Sequence, residues 1–238
     1  MRKYEWVLFD ADDTLLDFSL AERLAFSAML REFGILEEET HFPVYKSCNS
    51  EAWRAYEKGD IDAVTLRGKR FSDFKTKAAL QYGPDPFEMN KSYLNNLIKH
   101  TTPIEGALEL LQALRAHRVK MAVITNGLKE VQRPRIQESG MSPFFEFIVV
   151  SDEIGSAKPD ARFFAHAYAA MCFPDKQKVL VVGDSFTSDI AGARNFELRS
   201  CWLNPGSLPF PGNNGPDYEI RSLENLRDIV LSGPENPD

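Results

Sequence analysis

Hydrophobic and polar positions fall into two alternating regimes along this chain. Short, unbroken apolar runs occur at Trp6-Val7-Leu8-Phe9, Met121-Ala122-Val123-Ile124, Phe147-Ile148-Val149-Val150, Val179-Leu180-Val181-Val182 and Cys201-Trp202-Leu203. They are continuous rather than alternating with polar residues, the pattern of strands covered on both faces of a parallel sheet. Between them the apolar residues take helical spacing. Leu108, Leu111 and Leu114 mark one face of a helix over 105–117, and Phe163, Phe164, Ala167 and Met171 mark another after Pro159. Strand–helix alternation of this kind predicts an α/β, doubly wound fold.

The alternation is broken once. The first strand ends near Asp10, yet the second does not begin until about Lys120. The intervening segment is helical in pattern, with helices predicted over 21–33 (Leu24, Ala28 and Met29 on a face), 51–57, 63–81 and 87–99. It reads as a helical domain spanning 18–100, inserted into a sheet domain made of 1–17 and 101–238. Four prolines and three glycines within 204–216 predict a loop. A strand candidate, Tyr218-Glu219-Ile220, and a last helix over 223–231 follow.

Composition narrows the class. Of 238 residues, 28 are Lys or Arg and 35 are Asp or Glu, a net charge of −7. That balance argues against polymeric nucleic acid or an anionic membrane surface as partner. At 43% hydrophobic and 26% charged the chain is globular rather than disordered. Cys48, Cys172 and Cys201 form neither a disulfide framework nor a zinc spacing, and are expected as three buried small hydrophobes in a reducing compartment. The N-terminus lacks the pattern of a signal peptide, and no window approaches the ~20 apolar residues that span a bilayer, so the expected location is cytoplasmic.

Chemistry-bearing residues gather where the predicted strands end. The first delivers Asp10-Ala11-Asp12-Asp13-Thr14. Such a cluster is either a solvated turn with a helix cap or a cation site, since Mg²⁺ takes hard oxygen ligands, one or two carboxylates and substrate phosphate among them. The strand at 179–182 delivers Gly183-Asp184-Ser185-Phe186-Thr187-Ser188-Asp189, a second acidic pair. Two such clusters at carboxyl ends of parallel strands would meet where open α/β sheets bind ligands. Thr125-Asn126-Gly127 follows another strand and precedes a helical segment from about Leu128; a hydroxyl and N–H groups there suit a phosphate. Lys158-Pro159 completes the set, with Pro159 at a plausible helix start. A lone lysine is ordinarily a surface residue, but the turn at Gly155-Ser156-Ala157 could aim this one inward.

Together these residues resemble the haloacid dehalogenase-like hydrolase superfamily, whose four motifs are matched in order by Asp10-x-Asp12-x-Thr14, Thr125, Lys158-Pro159 and Gly183-Asp184-x₄-Asp189. Each is weak alone; on four successive strands they are specific. The helical insert between the first two resembles the subfamily with its cap there. The resemblance implies a Rossmann-like parallel sheet, order 5-4-1-2-3, under an α-helical cap. A narrower match, over nearly the whole chain, is similar to bacterial house-cleaning pyrimidine 5′-nucleotidases. It rests on Asn49-x₃-Trp53-x₂-Tyr56-x₂-Gly59-x-Ile61, Arg70-Phe71, Ile124-Thr125-Asn126-Gly127 and Cys201-Trp202-Leu203-Asn204. Asp13 departs from the glycine frequent at its position, as in the nucleotidase branch.

What the resemblance implies is a Mg²⁺-dependent phosphomonoesterase, with Mn²⁺ an alternative ion, acting on a small phosphorylated substrate. Asp10 would be the nucleophile and Asp12 the acid and base. Asp10, the Asp12 carbonyl, Asp184 and Asp189 would hold the metal. Thr125, Asn126, Gly127 and Lys158 would hold the phosphate. Asn49, Trp53 and Arg70 would read a pyrimidine nucleotide, unless Trp53 simply packs the helical core. Rival readings are a phosphatase for a small organophosphate such as phosphoglycolate or a sugar phosphate, a dehalogenase, and a non-catalytic phosphate-binding module. Asp12 and the Asp184/Asp189 pair argue against the second, and the intact set of Asp10, Asp12 and Lys158 against the third. Oligomeric state is not legible.

Overall fold

The structure is a computed structural model and describes residues 2–80, 83–210 and 215–232. Six parallel strands form one sheet: β1 (Trp6–Phe9), β2 (Lys120–Thr125), β3 (Phe147–Val150), β4 (Val179–Gly183), β5 (Arg199–Leu203) and β6 (Tyr218–Ile220). Their order is β3-β2-β1-β4-β5-β6. The expected 5-4-1-2-3 order is therefore present, and the short candidate at 218–220 extends it by one strand. The helices are α1 (Phe18–Glu32), α2 (His41–Glu57), α3 (Ala63–Lys77), α4 (Pro86–Lys99), α5 (Ala107–Ala116), α6 (Lys129–Glu138), α7 (Ser151–Ile154), α8 (Ala161–Ala170), α9 (Ala191–Asn195) and α10 (Glu224–Leu231).

The chain divides into two compact units, one of Met1–Phe18 with Thr102–Asp238 and one of Ser19–Thr101. In the sheet unit, the continuous apolar runs bury both faces. Val7, Phe9, Met121, Val123, Leu180 and Val182 face one way, onto Leu110, Leu111 and Leu114 of α5 and Leu226 and Val230 of α10. Trp6, Leu8, Ala122, Ile124, Val179 and Val181 face the other, onto Phe163, Phe164 and Ala167 of α8. Burial of each large side chain is worth about 1.5–3 kcal/mol, which stabilises the sheet between its two helical layers. Phe9 pairs with Val123 on one side and Val182 on the other, so the carboxyl ends of β1, β2 and β4 lie side by side. The chain leaves β1 toward β2 and returns to its other side as β4, which makes this edge a topological switch point.

The helical unit has an aromatic core. The Tyr45 ring stacks on Phe26 and Phe71 at centroid distances of 4.7 and 5.3 Å, and Phe74 meets Phe26 edge-on at 5.2 Å. Asp62 caps α3 by accepting from Thr65 N–H, and Asp85 caps α4 by accepting from Phe87 N–H.

Several expectations are corrected. The inward face of α1 is Ala21, Ala25, Phe26, Met29 and Leu30; Leu24 lies off that stripe and is 39% exposed. Helix α2 begins at His41, ten residues before the predicted 51, because Pro43 falls in the first turn, where its missing N–H has no helical partner to lose. Helix α3 ends at Lys77, and the predicted terminus Gln81 lies outside the described residues, as do residues 211–214 of the predicted loop. Helix α8 starts at Ala161 with Asp160 as cap, so Pro159 precedes the helix rather than opening it. Cys48 and Cys201 are buried, but Cys172 is exposed in a left-handed turn just past α8.

Candidate active site

Each strand end delivers a different group to one edge of the sheet. Asp10 is the residue after β1, and its N–H still donates to Val182 O at 2.8 Å, continuing the sheet ladder. One carboxylate oxygen from each of Asp10, Asp184 and Asp189 lies within 4.8 Å of the others. The Lys158 ammonium sits among them, its side chain 2% exposed. Its donors reach Asp10 Oδ1 at 2.5 Å, Asp189 Oδ1 at 2.6 Å and Ile124 O at 2.9 Å, which uses all three ammonium hydrogens. The inward placement, rather than the surface one, is what the structure shows for this lysine.

Local backbone chemistry explains the placement. The Asn126 side chain clamps the Lys158 peptide from both sides: its Oδ1 accepts from Lys158 N–H at 2.7 Å and its Nδ2 donates to Lys158 O at 2.9 Å. The Asn126 amide side chain is thereby committed to protein, while Gly127 precedes the N-terminus of α6. Gly183 makes room for Asp189, because a β-carbon at 183 would overlap the Asp189 carboxylate. Asp189 lies on a π-type turn, Phe186–Ile190, and its Oδ2 accepts from Ser185 N–H at 3.1 Å. Asp13 has φ of +54°, a left-handed conformation that glycine adopts freely and aspartate tolerates better than most residues, which accounts for glycine being frequent there.

The electrostatics describe a shortage of positive charge. Burial pushes the Asp10 carboxyl well above its ordinary range; Lys158 opposes this, and Asp189, Asp184 and Asp12 add to it. Burial, then the charges of Asp189 and Asp13, push Asp184 up to about 7. Burial alone would lower the Lys158 ammonium, but the Asp10 and Asp189 charges outweigh it and hold the group raised. Three carboxylates thus face a single ammonium. An all-oxygen donor set with that imbalance fits a hard divalent cation.

Four further residues act here: Thr14 and Trp202, which the sequence offers inside matched motifs but without a role, and Gln132 and Arg135, which it does not single out. Thr14 Oγ1 accepts from Asp184 N–H at 3.1 Å, and Trp202 Nε1 donates to Asp184 O at 2.7 Å, so the Asp184 peptide is held at both ends. Buried Gln132 and Arg135, on α6, both reach Asp12. Gln132 Nε2 donates to Asp12 Oδ2 at 2.6 Å and to Thr125 Oγ1 at 2.9 Å, and Arg135 Nη1 pairs with Asp12 Oδ1. The signal for them is a stripe at helical spacing, Val131, Gln132, Arg135 and Ile136, in which a polar pair shares the face of an apolar pair.

Asn49, Trp53 and Arg70 belong to the helical unit. Arg70 is buried, donating from Nη1 to Asn49 Oδ1 at 3.1 Å and from Nη2 to Asn90 Oδ1 at 2.5 Å, and Asn49 Nδ2 donates to Glu22 Oε1 at 3.1 Å. Trp53 is half-buried, edge-on to Tyr56 at 5.7 Å.

This fold and the four groups at its edge define a class, and comparison with known proteins agrees. The family model of haloacid dehalogenase-like hydrolases matches residues 4–197, and the chain belongs to that family. It is 32% identical to the pyrimidine 5′-nucleotidase YjjG of Escherichia coli (strain K12) over 228 residues, 96% of this chain and 98% of YjjG. It is 31% identical to the pyrimidine 5′-nucleotidase PynA of Streptococcus pneumoniae over 227 residues, 95% of each. The crystal structure of the HAD-hydrolase YfnB of Bacillus subtilis bound to magnesium superposes with a TM-score of 0.86 at 33% identity, covering 95% of this chain and 98% of YfnB. Among the described residues no helix is long and apolar enough to cross a membrane.

Proposed function

We propose that this protein is a Mg²⁺-dependent phosphomonoester hydrolase that works through an aspartyl-phosphate and prefers pyrimidine (deoxy)nucleoside 5′-monophosphates. The observation that carries the reading is the convergence of the Asp10, Asp184 and Asp189 carboxylates around the Lys158 ammonium at the ends of β1 and β4. The nucleotidase relatives support the substrate class.

Asp10 attacks phosphorus, and the bond to the leaving oxygen breaks as Asp12 delivers a proton to it. Asp12 then takes a proton from water, whose oxygen displaces the Asp10 carboxylate from phosphorus. Thr125, the Asn126 and Gly127 N–H groups and Lys158, on exchanging one of its present contacts for phosphate, bind the phosphoryl oxygens and stabilise charge in the transition state. Asp10, the Asp12 carbonyl, Asp184 and Asp189 would hold the cation. When bound, the cation offsets repulsion between the Asp10 carboxylate and a phosphate dianion. Asn49, Trp53 and Arg70 of the helical unit are the candidates for nucleoside recognition; Asn49 and Arg70 would act through the network they share with Glu22 and Asn90, and Trp53 through its ring.

A phosphate-release screen with Mg²⁺ tests this. Pyrimidine nucleoside monophosphates should be turned over faster than sugar phosphates and phosphoglycolate, and Asp10→Asn should abolish turnover. Comparable rates across the panel would remove the nucleotide preference; activity surviving in Asp10→Asn would remove the nucleophile.

A further inference from the structure

The contacts of Asp12 extend the reading above. We propose that Gln132 and Arg135 form a positioning pair that fixes the Asp12 carboxyl for proton transfer and couples it to the Thr125 hydroxyl. This rests on Asp12 being the acid and base of the reaction.

The geometry is reciprocal. Gln132 spends one amide hydrogen on Asp12 Oδ2 and the other on Thr125 Oγ1, and its Oε1 accepts from Arg135 Nη1 at 3.0 Å. Arg135 Nη1 also donates to Asp12 Oδ1. Turning the amide over would set Nε2 against the Arg135 donor, and Oε1 against the Asp12 carboxylate whenever that is ionised. The carboxyl torsion of aspartate is soft. One contact would leave it free to swing, whereas donors on both oxygens fix its plane. Gly127 belongs to the same arrangement, since a β-carbon there would overlap the Gln132 side chain.

Packing alone does not account for a guanidinium at 135. The side chain is 1% exposed and lies over the Phe18 ring at 5.5 Å. Its Nε and Nη2 have no hydrogen-bond partner among the described residues. An apolar side chain of similar size would fill the space without stranding those groups, although it would leave the partly exposed Asp12 carboxylate without its guanidinium. What an apolar side chain would lose is the hold on Asp12.

Leaving-group dependence separates a positioning role from a structural one. Thymidine 5′-monophosphate expels a basic alkoxide that needs a proton; 4-nitrophenyl phosphate expels a stable phenolate that does not. Wild type, Asp12→Asn, Arg135→Met, Gln132→Leu and Asp12→Asn/Arg135→Met are compared on both in single turnover, following release of the leaving group so that the later hydrolysis of the aspartyl-phosphate, which uses Asp12 as base for either substrate, does not enter; melting temperatures verify folding. Arg135→Met should lower the rate of leaving-group release from the nucleotide by about 10–100-fold and from the aryl ester by no more than about 3-fold, against the 10²–10⁴-fold that general acid catalysis contributes. Gln132→Leu should show the same bias, and carries the test should Arg135→Met fail to fold. Adding Arg135→Met to Asp12→Asn should cost nothing further on the nucleotide. Equal losses on both substrates in Arg135→Met and Gln132→Leu, while Asp12→Asn keeps the bias, would overturn the positioning pair alone. Equal losses in Asp12→Asn itself would overturn the acid assignment and the pair with it.

Discussion

Burial and neighbouring charge push the Asp184 carboxyl up to about 7 against an ordinary 3.8, and this makes stability a readout of the proposed cation site. Below pH 3.8 the group is protonated in both folded and unfolded chains and contributes no pH dependence. Between there and about 7 the folded protein keeps a proton that the unfolded chain has released, so metal-free stability falls as pH rises, by up to about 1.4 kcal/mol per pH unit. Above about 7 the loss levels off. From pH 5 to pH 8 this amounts to about 2 kcal/mol once partial exposure of Asp184 is allowed for. Asp10, also raised, acts with the same sign. A divalent cation selects the ionised carboxylates, so Mg²⁺ should restore stability most at pH 8 and least at pH 5. Urea unfolding at both pH values, in EDTA and in Mg²⁺, measures this for wild type and Asp184→Asn. Wild type should lose about 2 kcal/mol relative to the variant in EDTA as pH rises, and regain it with Mg²⁺. Parallel wild-type and variant profiles in EDTA, or Mg²⁺ stabilisation independent of pH, would refute the reasoning.

Two further substitutions probe the same charges by other routes. Lys158→Met leaves Asp10 and Asp189 buried without their ammonium and should cost about 3–5 kcal/mol together with turnover; thermal melts should show Mg²⁺ returning part of the loss, and an unchanged melting temperature would contradict the pairing. Gly183→Ala drives a β-carbon into the Asp189 carboxylate and should destabilise by about 1–3 kcal/mol while raising the Mg²⁺ concentration needed for half-maximal activity, as a Mg²⁺ titration would show.

How far the sequence discloses this site depends on how each residue is held. Asp10, Thr125 and Asp184 stand at or just past the ends of strands whose apolar runs are unmistakable, and once three parallel strands are in register their ends must be neighbours. Lys158 is harder: its burial depends on the Asn126 clamp, a contact between residues 32 apart that no local pattern reports. Thr14 and Trp202 stand in matched motifs, but they act on the backbone of Asp184, a contact across the sheet edge that neither motif's spacing reports. Gln132 and Arg135 are least visible, because α6 is polar overall and its polar residues read as a solvated face. The informative fact is which polar residues share a stripe with Val131 and Ile136, and that is fixed only when the helix is docked. The candidate catalytic groups at strand ends are therefore disclosed by strand pattern, whereas the groups that hold them in place appear only when tertiary contacts are known. The second set is also where a conservative-looking substitution, such as Gln132→Leu, is expected to change chemistry without changing the fold.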